Sequence, residues 1–166
     1  MAAVEGLPDG ARAAVVTVSD RSHGGLRHDS SGPLLASLLA ELGFEVGEPV
    51  VVPDEVEAVQ GALRDAVAAS YDVVVTTGGT GFAPRDITPE ATKPLLDREA
   101  PGLVEALRQH RRDEVPTTIL SRAVAGTIGT TFVCNLPGST GGVRDGVAVL
   151  APVIGHLVAQ LRGGDH

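Results

Sequence analysis

The run Asp72-Val-Val-Val-Thr-Thr-Gly-Gly-Thr-Gly81 narrows the folds open to this chain more than any other stretch. Val73, Val74 and Val75 are β-branched and apolar without alternation, the pattern of a strand covered on both faces. Such strands sit inside mainly parallel sheets with helices on each side. Gly78, Gly79 and Gly81 then permit a sharp turn and bring bare N–H groups close to a ligand. Thr88 is expected to cap the next helix, with Pro89 as its first residue and Glu90 as an acid in its first turn. Open α/β sheets bind phosphorylated ligands on loops at the carboxyl ends of their strands.

The glycine run matches neither common phosphate motif. A P-loop needs a lysine, and none follows these glycines. A dinucleotide fingerprint needs a third glycine where Pro84 stands. A tight turn without a ligand is the plain alternative, and Arg85-Asp86 beside a capped helix favours a site.

The rest of the chain alternates strands and helices. Strands are expected at Ala13–Val18 and Phe44–Val52, with a helix over Pro33–Leu42 between them. Ser31 is the expected cap of that helix and Gly43 its stop. Asp54–Ala69 reads as a helix with a Val56, Val59, Leu63, Val67 stripe, Asp54 and Glu57 resembling a capping box. Helical pieces at Thr88–Asp97 and Gly102–Arg111 are broken at Pro101. Strands at Ala123–Ile128 and Thr131–Leu136 form a hairpin around Gly129, and a helix over Val143–Leu161 closes the fold. These elements predict an α/β three-layer sandwich: a mainly parallel central sheet flanked by helices. A single domain is expected over residues 11–162, with flexible tails at 1–10 and 163–166.

Aromatic residues make up only 2%, so valine, leucine, isoleucine and alanine must fill the core. The formal net charge of −8 argues against nucleic-acid or anionic-membrane partners. The lone Cys134, in an apolar run, excludes an internal disulfide and reads as a buried inert thiol. The five histidines form no metal-ligand spacing. No apolar run reads as a membrane span and no signal peptide is visible, so a cytoplasmic location is expected.

Three loops follow predicted strands: Ser19-Asp20-Arg21, Thr77–Asp86 and Asn135–Ser139. A parallel sheet brings such loops to one edge, and Asp54 joins them if its strand ends there too. Each residue also has a bland role. Asp54 can cap a helix, Asp86 can make an Asx turn, Asp20 and Arg21 can pair on the surface, and Ser139 can cap the last helix.

Six segments together resemble the MogA/MoaB family of molybdenum-cofactor biosynthesis proteins, which is similar to the gephyrin G domain. They are Val18-Ser-Asp-Arg21, Val52-Pro-Asp-Glu55, Thr76-Thr-Gly-Gly-Thr-Gly81, Arg85-Asp-Ile-Thr-Pro-Glu-Ala91, Pro116-Thr-Thr-Ile-Leu-Ser-Arg122 and Asn135-Leu-Pro-Gly138. The resemblance implies adenylylation of molybdopterin with MgATP, releasing pyrophosphate and giving the form that later receives molybdate. It implies a homotrimer and a molybdate-inserting partner protein. It places catalytic and Mg²⁺-binding roles on Asp54 and Asp86. Thr77, Gly78, Gly79, Thr80, Gly81 and Arg85 would then bind nucleotide phosphates. Ser19, Asp20, Arg21, Asn135, Pro137, Gly138 and Ser139 would bind substrate. The alternative is a non-catalytic molybdopterin-binding or carrier protein of the MoaB type.

Overall fold

Residues 2–165 are described by the structure, a computed structural model. In chain order, β1 (Arg12–Val18), the single turn α1 (Asp20–His23) and α2 (Ser31–Glu41) lead to β2 (Glu45–Val46) and β3 (Val50–Val52). Next come α3 (Val56–Ala68), β4 (Val73–Thr77), α4 (Thr88–Thr92), β5 (Arg98–Glu99) and α5 (Pro101–Gln109). The hairpin β6 (Ala125–Ile128) and β7 (Thr131–Leu136) precedes α6 (Thr140–Leu161).

The sheet runs β2-β1-β4-β7-β6-β5, with β3 also pairing β1. Pairings among β1, β2, β3, β4 and β7 are parallel, and β6 pairs β5 and β7 antiparallel. The valine run is divided between two cores, because successive residues of a strand face opposite sides. Val73 and Val75 pack with α2, α5 and α6, whereas Val74 packs with Val59 and Leu63 of α3 and Ala91 of α4. Strand β7 is split likewise, with Phe132, Cys134 and Leu136 on one side and Val133 on the other. Both strands are buried throughout, which is the expected three-layer α/β arrangement. Burial pushes the Cys134 thiol up to about 12, so the cysteine is an inert core residue.

Several boundaries differ from the sequence reading for local reasons. The strand expected over 44–52 is two short pieces: the Gly47 N–H still donates to the Ala13 carbonyl, and the break falls before β3 at Pro49, which has no N–H to donate. The helix expected from Asp54 starts at Val56, and no side chain caps it. Thr88 lies inside its helix rather than at the cap, and its hydroxyl donates to the Gly78 carbonyl at 2.8 Å. That helix stops at Thr92 and tightens into a 3-10 turn at Lys93–Leu95, where Pro94 lacks an N–H. Asp29 serves the start of α2, accepting from the Gly32 N–H at 3.0 Å, in place of the expected Ser31 cap. Ser139 does cap α6, accepting from the Gly142 N–H at 3.0 Å.

The start expected to trail loosely is held from Val4, whose N–H donates to the Leu42 carbonyl at 2.9 Å. Val4 and Leu7 pack on the larger core. Arg162 reaches back to the Asp9 carbonyl at 3.1 Å and to both Asp72 carboxylate oxygens at 2.8 Å. Among the described residues one helix, α6, is long and apolar enough to cross a membrane by length and composition. Its Val143, Val147, Leu150, Ile154 and Val158 are fully enclosed in the core, which accounts for that apolarity.

Candidate active site

Strand register sets the edge on which the site is built. Val18 pairs with Val52, Thr17 with Thr77, and Thr77 with Leu136. Four parallel strands therefore end nearly level, and the four loops that follow converge, as they do at ligand sites of open α/β sheets.

Two aspartates join the first pair of loops. The Asp20 N–H donates to the Asp54 carboxylate and the Asp54 N–H to the Asp20 carboxylate, both at 2.9 Å. This exchange explains why Asp54 does not cap α3: its oxygen is turned across the sheet edge. Arg85 then grips Asp20 with Nε and Nη2 and donates to the Asp54 carbonyl at 3.2 Å. The Arg85 hydrogen bond, with that from the Asp54 N–H, holds the Asp20 carboxyl below the usual range. Burial pushes the Asp54 carboxyl up, and the charges of Asp20 and Asp86 add to this against the Asp20 N–H and Arg85.

The glycine turn supports both carboxylates expected to act. Gly78 and Gly79 have φ of +101° and +70°, the left-handed region where a side chain is strained. A Cβ on Gly79 would collide with the Thr88 hydroxyl and lie 3.3 Å from an Asp54 oxygen. A Cβ on Gly81 would lie 2.9 Å from an Asp86 oxygen. The Asp86 carboxylate also accepts from the Ala83 N–H at 3.0 Å, a bond back into its own loop rather than the Asx turn into the next helix, because the Thr88 N–H donates to the Gly79 carbonyl. Thr77 ties the turn to the last loop by donating to the Pro137 carbonyl at 2.8 Å.

Two hollows meet here, sharing Gly78, Gly79, Asp86, Gly138 and Ser139 as a common wall. The smaller, of about 350 Å³, is bordered by Ser19, Asp29, Ser31, Asp54 and Thr77. The larger, of about 630 Å³, also takes in Thr80, Gly81 and Pro137, and has an apolar rim of Phe82, Leu107, Val115 and Leu120 with Asp145 beyond. Most of the residues predicted from sequence therefore line one hollow or both.

Four depart from that expectation. Asp20 and Arg85 line neither hollow and are committed to each other. Arg21 lines neither; its carbonyl accepts from Leu26 and Arg27 to close the turn after α1. Asn135 borders the larger hollow but is fully buried. Its amide donates to Thr76 at 2.9 Å and Thr92 at 3.1 Å and accepts from the Val124 N–H at 3.2 Å, so it braces β7. Sequence reading missed the segment from Arg27 to Ser31 on the smaller hollow and the contribution of α5 and Asp145 to the larger. The Asp29 and Gly32 spacing before an apolar helix was a usable cap signal; the α5 contribution depends on tertiary packing and left none.

No group of three or more histidine, cysteine or acidic side chains suited to a metal occurs among the described residues. The donor set beside the glycine turn is instead two carboxylates, Asp86 on the shared wall and Asp54 on the smaller hollow. That set fits Mg²⁺, which takes one or two carboxylates and completes its shell with water and substrate phosphates. It does not fit a closed zinc site.

Residues 14–156 match the family described as "Probable molybdopterin binding domain". The chain is 40% identical over 153 residues to the molybdopterin adenylyltransferase of Pyrococcus furiosus, covering 89% of each protein. It is 41% identical to the molybdenum cofactor biosynthesis bifunctional protein of Synechococcus elongatus, covering 95% of this chain but 49% of that one. The chain thus spans about half of that longer relative. A crystal structure of a molybdopterin biosynthesis protein from Mycobacterium abscessus superposes with a TM-score of 0.87 at 48% identity, covering 91% of this chain and 96% of that one.

Proposed function

The chain belongs to the MogA/MoaB family of molybdopterin-binding domains, and on that premise we propose that it adenylylates molybdopterin. A terminal phosphate oxygen of molybdopterin attacks the α-phosphorus of ATP. The new P–O bond forms as the bond from the α-phosphorus to the bridging oxygen breaks, and pyrophosphate leaves with that oxygen. The attacking phosphate is already ionised, so positioning and charge stabilisation supply most of the rate rather than proton removal.

The observation that carries this reading is the approach of the Asp54 and Asp86 carboxylates to the glycine turn, Asp54 bordering the smaller hollow and Asp86 both. Two hollows with a common wall suit two substrates that must touch at one bond. Asp54 and Asp86 would hold Mg²⁺, which neutralises phosphate charge when bound. Backbone N–H groups of the turn can receive phosphate oxygens. Asp20 and Arg85 act behind this front, fixing the Asp54 loop. The proposal extends to a cytoplasmic homotrimer whose adenylylated product passes to a molybdate-inserting protein.

The test is incubation of the protein with molybdopterin, ATP and Mg²⁺, followed by mass detection of adenylylated molybdopterin and pyrophosphate. Molybdopterin binding without product would leave only the carrier reading.

A further inference from the structure

Arg122, in the segment Pro116–Arg122, lines neither hollow, yet it holds the loop that carries Asp86 from behind. Its Nε donates to the Gly81 carbonyl at 2.7 Å and its Nη2 to the Asp86 carbonyl at 2.9 Å. Those carbonyls belong to the first and last residues of the hexapeptide Gly81–Asp86, so one rigid guanidinium sets the width of the loop. The Arg122 N–H adds a bond to the Thr80 carbonyl at 2.9 Å. Nη1 meets both carboxylate oxygens of Glu90 at 2.9 and 2.7 Å, which fixes the plane of the fork. The guanidinium also lies 5.3 Å from the centre of the Phe82 ring.

The Asp86 carboxylate takes its bearing from this same loop, accepting from the Ala83 N–H and lying close against Gly81. We propose that Arg122 is a positioning residue that sets the Asp86 carboxylate for MgATP through the width of the Gly81–Asp86 loop. Lysine cannot replace it, because one ammonium nitrogen cannot span acceptors that a planar fork reaches together. The inference rests on the role of Asp86 proposed above.

The experiment is a cycle of Arg122→Lys, Asp86→Asn and the double variant, read as MgATP affinity by calorimetry, with thermal midpoints as the folding control. Arg122→Lys should weaken MgATP about tenfold in the native background and less than about twofold in Asp86→Asn, the coupling expected when one residue acts through another. The affinity for ATP without Mg²⁺ should change little, a split that a merely structural defect would not give. Equal factors in both backgrounds, or full affinity in Arg122→Lys, would overturn the proposal. If Arg122→Lys does not fold, the same cycle with Glu90→Gln decides, since Glu90 is half exposed and fixes the same fork. Coupling there supports the proposal and additivity overturns it. A native protein that binds MgATP but makes no adenylylated product refutes the proposed activity, while the binding cycle still decides the role of Arg122.

Discussion

Asp54 is a carboxylate set where its own charge is unwelcome. Burial raises its pKa first, and Asp20 and Asp86 stand close by. A group whose folded pKa is raised contributes stability that is present below the unfolded value of about 3.9 and lost as pH rises through the folded one. Ionised Asp54 therefore weakens the fold at neutral pH. Asp54→Asn keeps an acceptor for the Asp20 N–H and drops the charge. Its melting temperature at pH 7 should match or exceed that of the native protein, and the difference should vanish near pH 3. Calorimetric scans at both values check this; a marked loss of stability at pH 7 would return Asp54 to a purely structural role. Turnover should move the other way. Asp54→Asn and Asp86→Asn should each lose roughly a hundredfold in adenylyl transfer, the scale of removing one key electrostatic group. Full activity in both would remove the proposed Mg²⁺ site.

Among the elements, the glycine turn is the part most exposed to a single change. Gly79→Val would place a branched side chain at positive φ, against Thr88 and toward Asp54. MgATP affinity should fall by more than the accompanying drop in melting temperature explains, measured by titration below the transition. Unaltered affinity in a folded Gly79→Val protein would make the turn a plain connection. This turn was legible in sequence because its signals are local: three β-branched apolar residues, then glycines. Asp86 was legible in the glycine loop itself, and Asp54 on the same edge only on the condition that its strand ended there; the joint role of the two came from the family resemblance, since each residue by itself also reads as a cap or an Asx turn. Arg85 shows what such reading leaves out. Its charge suggested phosphate contact, and only the folded chain reveals that Asp20, far away in sequence, has claimed it. The α5 wall of the larger hollow was illegible for a related reason. Leu107 reads as an ordinary apolar helix residue until packing sets it beside the glycine turn.

At the scale of the whole molecule, several large apolar side chains remain outside both cores. Ile119 and Leu120 are 51% and 54% exposed, and Val153 is 43% exposed. Self-association would cover such groups, and closed cyclic symmetry is the usual form. Light scattering at micromolar concentration should report roughly three chains per particle. A clean monomer at that concentration would sink the trimer proposal. The bond from Arg162 to the Asp9 carbonyl has a separate consequence. It ties the turn after α6 to the segment that leads into β1, at the end of the sheet where Asp72 precedes β4. A polypeptide that enters and leaves at one point can be spliced into another protein's surface loop, or joined in tandem to a second module, without prying apart either core. Junctions made there lie at the opposite end of the sheet from the glycine turn.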